Sequence, residues 1–137
     1  MRRSPIVLPA LLILGSAFVM ACSGGAAPSG GAAGGGAQDM TVKLSEFKFE
    51  GAKPTVTAGS PVKFTITNGG TVEHEFAVMP RGTTDMTKAL FMVDTKALQP
   101  GKTVTKEFTF PAKGDFEIAC HTPGHYEAGM HTNLTVQ

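Results

Sequence analysis

From residue 39 to residue 137 apolar and polar side chains alternate with a period of two, the repeat of a strand whose successive side chains point to opposite faces. Runs rich in β-branched and aromatic residues cover 40–49, 55–57, 62–67, 72–79, 103–110, 115–120 and 132–136. Asn68-Gly69-Gly70 and Ala58-Gly59-Ser60-Pro61 read as turns between them. Val62, Phe64 and Ile66 share one parity, as do Val72, His74, Phe76 and Val78, and again Phe116, Ile118 and Cys120. His74 and Cys120 are therefore expected to point inward, and His121 outward. In the first run the phase passes from Met40, Val42 and Leu44 to Phe47 and Phe49, which predicts a bulge near Ser45 and Glu46. Helical periodicity is confined to a weak candidate over 85–93. Seven to eight short strands in roughly 100 residues suit two packed sheets, an all-β sandwich.

The first 38 residues break the pattern. Arg2 and Arg3 precede a largely apolar stretch from Ile6 to Met20, about fifteen residues where a membrane-spanning helix needs roughly 20, so residues 1–21 read as an export signal. The signal ends in Val19-Met20-Ala21-Cys22, which resembles the lipobox of bacterial lipoproteins. That resemblance implies that Cys22 is lipidated, begins the mature protein and anchors it to a cell-envelope membrane, on the periplasmic or extracellular face. Ordinary cleavage that leaves Cys22 a plain thiol is the alternative. Residues 23–38 contain only Ser, Gly, Ala, Pro and a final Gln, a composition that cannot bury enough apolar surface to order itself. They read as a tether reaching roughly 20–25 Å. The folded domain is then 39–137.

Charge excludes one class. Beyond the signal, ten basic residues face eleven acidic ones, a net −1, without the basic footprint of a nucleic-acid binder. Cysteine usage is more telling: with Cys22 lipidated, Cys120 is a lone exported thiol with no internal disulfide partner, and metal ligation is a use that protects it.

The segment Cys120-His121-Thr122-Pro123-Gly124-His125-Tyr126-Glu127-Ala128-Gly129-Met130 sets a thiol, an imidazole and a thioether at five-residue intervals. With His74 from an earlier strand, it supplies the two histidines, one cysteine and weak axial methionine of an electron-transfer copper site. Soft sulfur suits Cu(I), and imidazole also accommodates Cu(II). A structural zinc site takes four strong nitrogen or sulfur ligands and no thioether. Singly, each residue has a plainer reading: His74 as a core histidine, Cys120 as a buried apolar filler and Met130 as packing. Met79, Met86 and Met92 read as core or loop contacts, with a methionine-lined copper entry path as the alternative. His121 and His131 read as surface residues.

On these residues the chain resembles the cupredoxin, or blue-copper, family over nearly all of 39–137. The four-residue gaps from Cys120 to His125 and from His125 to Met130 are similar to the longer loops of auracyanin and rusticyanin. The resemblance implies a Greek-key β-sandwich and one copper ion held by His74, Cys120, His125 and Met130. It implies a monomer that passes single electrons between a donor and an acceptor protein, not an enzyme. His125 would then sit in an uncharged surface patch with Pro123, Gly124, Ala128 and Gly129. One departure stands out: Glu75 follows the first histidine where the family often has Asn or Ser, and an ionised carboxylate can accept backbone hydrogen bonds but cannot donate to a thiolate. Pro123 likewise has no N–H to offer the Cys120 sulfur. Two rivals remain. One is an exported copper carrier that delivers the ion to another protein. The other is a multicopper oxidase, whose C-terminal motif Cys120-His121 resembles; those enzymes need several His-x-His pairs, and the four histidines here form none.

Overall fold

A computed structural model describes residues 36–137; the expected export signal, Cys22 and most of the expected tether lie outside the described residues. Among the described residues there are nine strands: β1 (Gln38–Ser45), β2 (Lys48–Glu50), β3 (Thr55–Val56), β4 (Pro61–Asn68), β5 (Phe76–Pro80), β6 (Phe91–Val93), β7 (Thr103–Thr109), β8 (Gly114–Ala119) and β9 (His131–Val136). One sheet runs β2-β1-β4-β7 and the other β3-β9-β8-β5-β6. The all-β sandwich expected from the alternation is the fold observed. The count exceeds seven or eight because the run 40–49 divides into β1 and β2 and because β6, only three residues long, is too short to show a repeat.

Alternation places the core. In β1, Met40, Val42 and Leu44 face inward, and in β4 Val62, Phe64 and Ile66 do. The two strands are parallel neighbours, Met40 opposite Phe64 and Val42 opposite Ile66, so both inward rows form one apolar face. Phe64 then meets Phe76 and Phe91 of the opposite sheet, with ring centroids 5.5 and 5.1 Å apart. Contacts from Phe91 to Phe108, Phe108 to Phe110 and Phe110 to Phe116 continue this file of rings between the layers. Burying each of the large side chains contributes about 1.5–3 kcal/mol.

Three local expectations are corrected. The phase break at Ser45 and Glu46 is a hairpin, with Ser45 opposite Lys48 and Leu44 opposite Phe49; a two-residue reversal shifts the phase just as a bulge would. The run 72–79 is half loop: its strand begins at Phe76, where Phe76, Ala77, Val78 and Met79 are all buried and period two disappears because both faces are covered. Over 85–93 there is one 3₁₀ turn, Met86–Lys88, started by Asp85 accepting from the Thr87 amide, followed by β6. Among the described residues no helix is long and apolar enough to cross a membrane.

Candidate metal centre

Two loops at one end of the sandwich carry the residues singled out by sequence. His74 lies on the loop from β4 to β5, two residues before the strand. Cys120 directly follows β8, Met130 directly precedes β9, and His125 lies midway between them. β8 and β9 are antiparallel neighbours, with Ala119 opposite His131, so the ends of the second loop are held together by the ladder below it.

That second loop closes on its own backbone. The Cys120 amide donates to the Met130 carbonyl at 3.1 Å, the Met130 amide to the His125 carbonyl at 3.0 Å, and the His125 amide to the Thr122 carbonyl at 2.9 Å. Gly124 and Gly129 take φ of +83° and +95°, left-handed conformations that favour glycine at these two turns. The first loop is fastened differently. Asn68 is fully buried; its side-chain amide donates to the carbonyls of Val72 (2.8 Å) and Leu98 (2.7 Å), and its oxygen accepts from the Gly70 amide (2.9 Å). Glu46, from the β1–β2 turn, accepts from the Thr71 amide, the Thr71 hydroxyl and the Val72 amide. These donors, the Thr71 amide foremost, pull the Glu46 carboxyl down to about 2.

His74 and Cys120 are fully buried and His125 is 8% exposed. Their ligand atoms all lie within 4.8 Å of one another. His74 Nδ1 and His125 Nδ1 are 3.2 Å apart, and Cys120 Sγ is 3.4 Å from His125 Nδ1. Burial, then the neighbouring His125, holds the His74 imidazole below its usual pKa, with Glu46 acting against them. The neutral ring that results is the form able to ligate a metal. Met130 is fully buried at the loop's exit. Cys120 is a free thiol. One thiol and two imidazoles, buried and converging, fit a soft or borderline metal ion.

Glu75 joins the two loops. Its amide donates to Cys120 Sγ at 3.3 Å and its carboxylate accepts from the His121 amide at 3.1 Å, so the tie is made by acceptance rather than by an Asn or Ser. The Cys120 thiol also reaches the Thr122 hydroxyl at 3.4 Å. His121 turns away from the three donors but is half-buried, stacked on Tyr126 at 4.9 Å; the exposed His131 stacks on Tyr126 at 4.7 Å, and the Tyr126 hydroxyl donates to the buried Glu117. Burial and the Glu117 carboxylate raise the Tyr126 pKa.

Pro123, Gly124, Ala128 and Gly129 are exposed around His125. Phe47, itself 41% exposed, packs edge-on against the His125 ring at 4.9 Å, which is why that ring is more enclosed than a bare surface histidine. Met79 is buried in β5 and Met86 is partly buried, whereas Met92 is 49% exposed and so is not a core contact. Glu46, Asn68, Thr122 and Phe47 were not legible as members of the site. Asn68 carried a turn signal, Glu46 and Phe47 lay at the break of phase, and Thr122 carried none; none of these signals pointed to the site, because their partners lie remote in the chain or depend on loop geometry.

A family model of the Cupredoxin-like domain matches residues 11–136. Over 108 residues the chain is 35% identical to the copper-resistant cuproprotein CopI of Rubrivivax gelatinosus, a match covering 70% of this chain and 64% of that protein. The chain spans less than two thirds of the length of the curated relatives it matches. Among solved structures, auracyanin from Roseiflexus castenholzii superposes with a TM-score of 0.61 at 23% identity, covering 75% of this chain and 99% of that one. A multicopper oxidase from Campylobacter jejuni gives 0.58 at 15%, covering 74% of this chain and 30% of the oxidase. At these identities the likeness to the solved structures is one of fold.

Proposed function

The chain belongs to the cupredoxin-like domain family, and from that premise we propose that it is a membrane-tethered blue-copper protein passing single electrons between redox partners. The observation that carries this reading is the convergence of the buried His74, Cys120 and His125 donor atoms within 4.8 Å of one another. A copper ion bound there would alternate between Cu(I) and Cu(II), giving or taking one electron.

The chain's own groups have separable tasks in this scheme. Cys120 supplies the anionic sulfur, held by the Glu75 amide. His74 and His125 would supply neutral nitrogens, and Met130, fully buried at the exit of the same loop, would supply a weak sulfur ligand. Both loops are fastened by hydrogen bonds of the folded chain, so the donors are held in place before the ion arrives. His125 and Phe47 face the partner, within the uncharged rim of Pro123, Gly124, Ala128 and Gly129; a small, weakly charged face suits brief redox encounters. Cys22 carries the lipid and residues 23–38 the slack, on the exported side of a membrane. The domain works as a monomer and catalyses no reaction of its own. His121, which would serve a second copper cluster in an oxidase, instead stacks on Tyr126.

Loading with Cu(II) tests the site. The protein should gain an intense thiolate-to-copper visible band with the matching paramagnetic-resonance spectrum, and a colourless loaded protein would overturn the assignment. A second reading, delivery of copper to another exported protein, is favoured by the copper-resistance name of the Rubrivivax relative. Competition with a chelator of moderate affinity separates the two: an electron carrier keeps Cu(I), whereas a delivery protein surrenders it rapidly.

A further inference from the structure

His74 Nε2 is buried and has no hydrogen-bond partner, while Nδ1 of the same ring faces His125 and the sulfur. An imidazole that ligates through one nitrogen carries its proton on the other, and ligand histidines almost always donate that proton to a carboxylate, a carbonyl or water. The group facing His74 Nε2 is Glu46 Oε1 at 4.0 Å, longer than a hydrogen bond by about 1 Å.

That oxygen is held in place. It accepts from the Thr71 amide at 2.5 Å, the Thr71 hydroxyl at 3.1 Å and the Val72 amide at 3.1 Å, all from the stretch that leads into His74. The space it occupies is kept open by Gly70: a Cβ there would fall 2.6 Å from Glu46 Oε1 and 2.9 Å from both Cδ and Oε2. The carboxylate, the histidine loop and the missing side chain at residue 70 thus form one cradle built from two elements, the β1–β2 turn and the β4–β5 loop.

We propose that Glu46 is a positioning residue of the metal centre: its carboxylate faces and attracts the Nε2–H of His74 without removing the proton, fixes the ring with Nδ1 toward Cys120 and His125, and favours Cu(II) over Cu(I). The inference rests on the reading of His74 as a copper ligand. An anion behind the ring makes the imidazole a stronger donor, and its charge stabilises the more positive oxidation state.

Two variants of the full chain test this. Glu46→Gln keeps an oxygen for Thr71 and Val72 while removing the charge. Gly70→Ala leaves Glu46 intact but fills its cradle. Both are expected to keep the visible thiolate band. In Glu46→Gln the preference for Cu(II) should weaken about tenfold, read as a rise in reduction potential of about 59 mV for one electron; Gly70→Ala should shift it in the same direction. In the metal-free chain, ¹⁵N spectra of the imidazoles should show the His74 proton on Nε2, and a mixture of tautomers in Glu46→Gln. An unchanged potential and tautomer in both variants, with the band intact, would overturn the positioning role alone. A wild-type protein without the band would overturn the copper reading and this inference together.

Discussion

The two loops that meet at the site are held by opposite means. Residues 120–130 are fastened chiefly from within, by amides and carbonyls of the same eleven-residue stretch and two left-handed glycines, with Glu75 the tie from the other loop. Residues 69–75 are fastened by side chains outside the stretch: the buried Asn68, itself held on Leu98, binds Gly70 and Val72, and Glu46 reaches Thr71 and Val72 across from the β1–β2 turn. A self-closed loop keeps its shape as long as its own sequence is kept, whereas an imported hold fails when a residue far along the chain is changed.

The largest effect expected is at the atom the loops share, since Cys120 belongs to one and its sulfur accepts from the Glu75 amide of the other. Cys120→Ser should abolish the thiolate-to-copper band completely in the absorption spectrum of the loaded protein. Next, Asn68→Ala strips two donors and one acceptor from backbone partners, the Leu98 carbonyl fully buried and the Val72 carbonyl and Gly70 amide partly so. It should lower the stability of the metal-free protein by on the order of 3 kcal/mol in denaturant unfolding, since each unpaired buried group costs about 1–3 kcal/mol. Faster amide hydrogen exchange should appear in 69–75 and spare 120–130. Gly129→Ala should act in the reverse place and less strongly, by about 1–2 kcal/mol, the cost of a left-handed conformation with a side chain. Uniform loosening of both loops in either variant would break the contrast.

The mildest effect is one of pH. Burial depresses the pKa of His74 below 6.5, so the folded chain binds this proton less readily than the unfolded chain. The stability of the metal-free protein should be complete above about pH 6.5 and decline as pH falls through that value toward the folded pKa. Thermal unfolding across this range checks the sign, and His74→Phe should flatten the slope.

The same contrast governs what could be read from the amino-acid order. β1 and β4 were legible because only one of their faces is buried, which leaves the alternation of Met40, Val42 and Leu44 and of Val62, Phe64 and Ile66 intact. β5 lost the signal because four consecutive residues are buried. The stretch 120–130 announced itself because its chemistry and its closing bonds are local. Glu46 contacts Thr71 and Val72, 25 and 26 residues away, and no local pattern records such a pairing. The outward reading of His121 was correct in direction, yet it missed the burial that Tyr126 imposes, since parity gives the face of a strand and not what a neighbouring loop lays over it.

The stacked Tyr126 has a practical consequence. The chain contains one tyrosine and no tryptophan, so its intrinsic ultraviolet emission comes from a single ring lodged between two imidazoles in the stretch that carries the cysteine. Occupancy of the site, and any rearrangement around it, can be followed by that glow in the unlabelled protein.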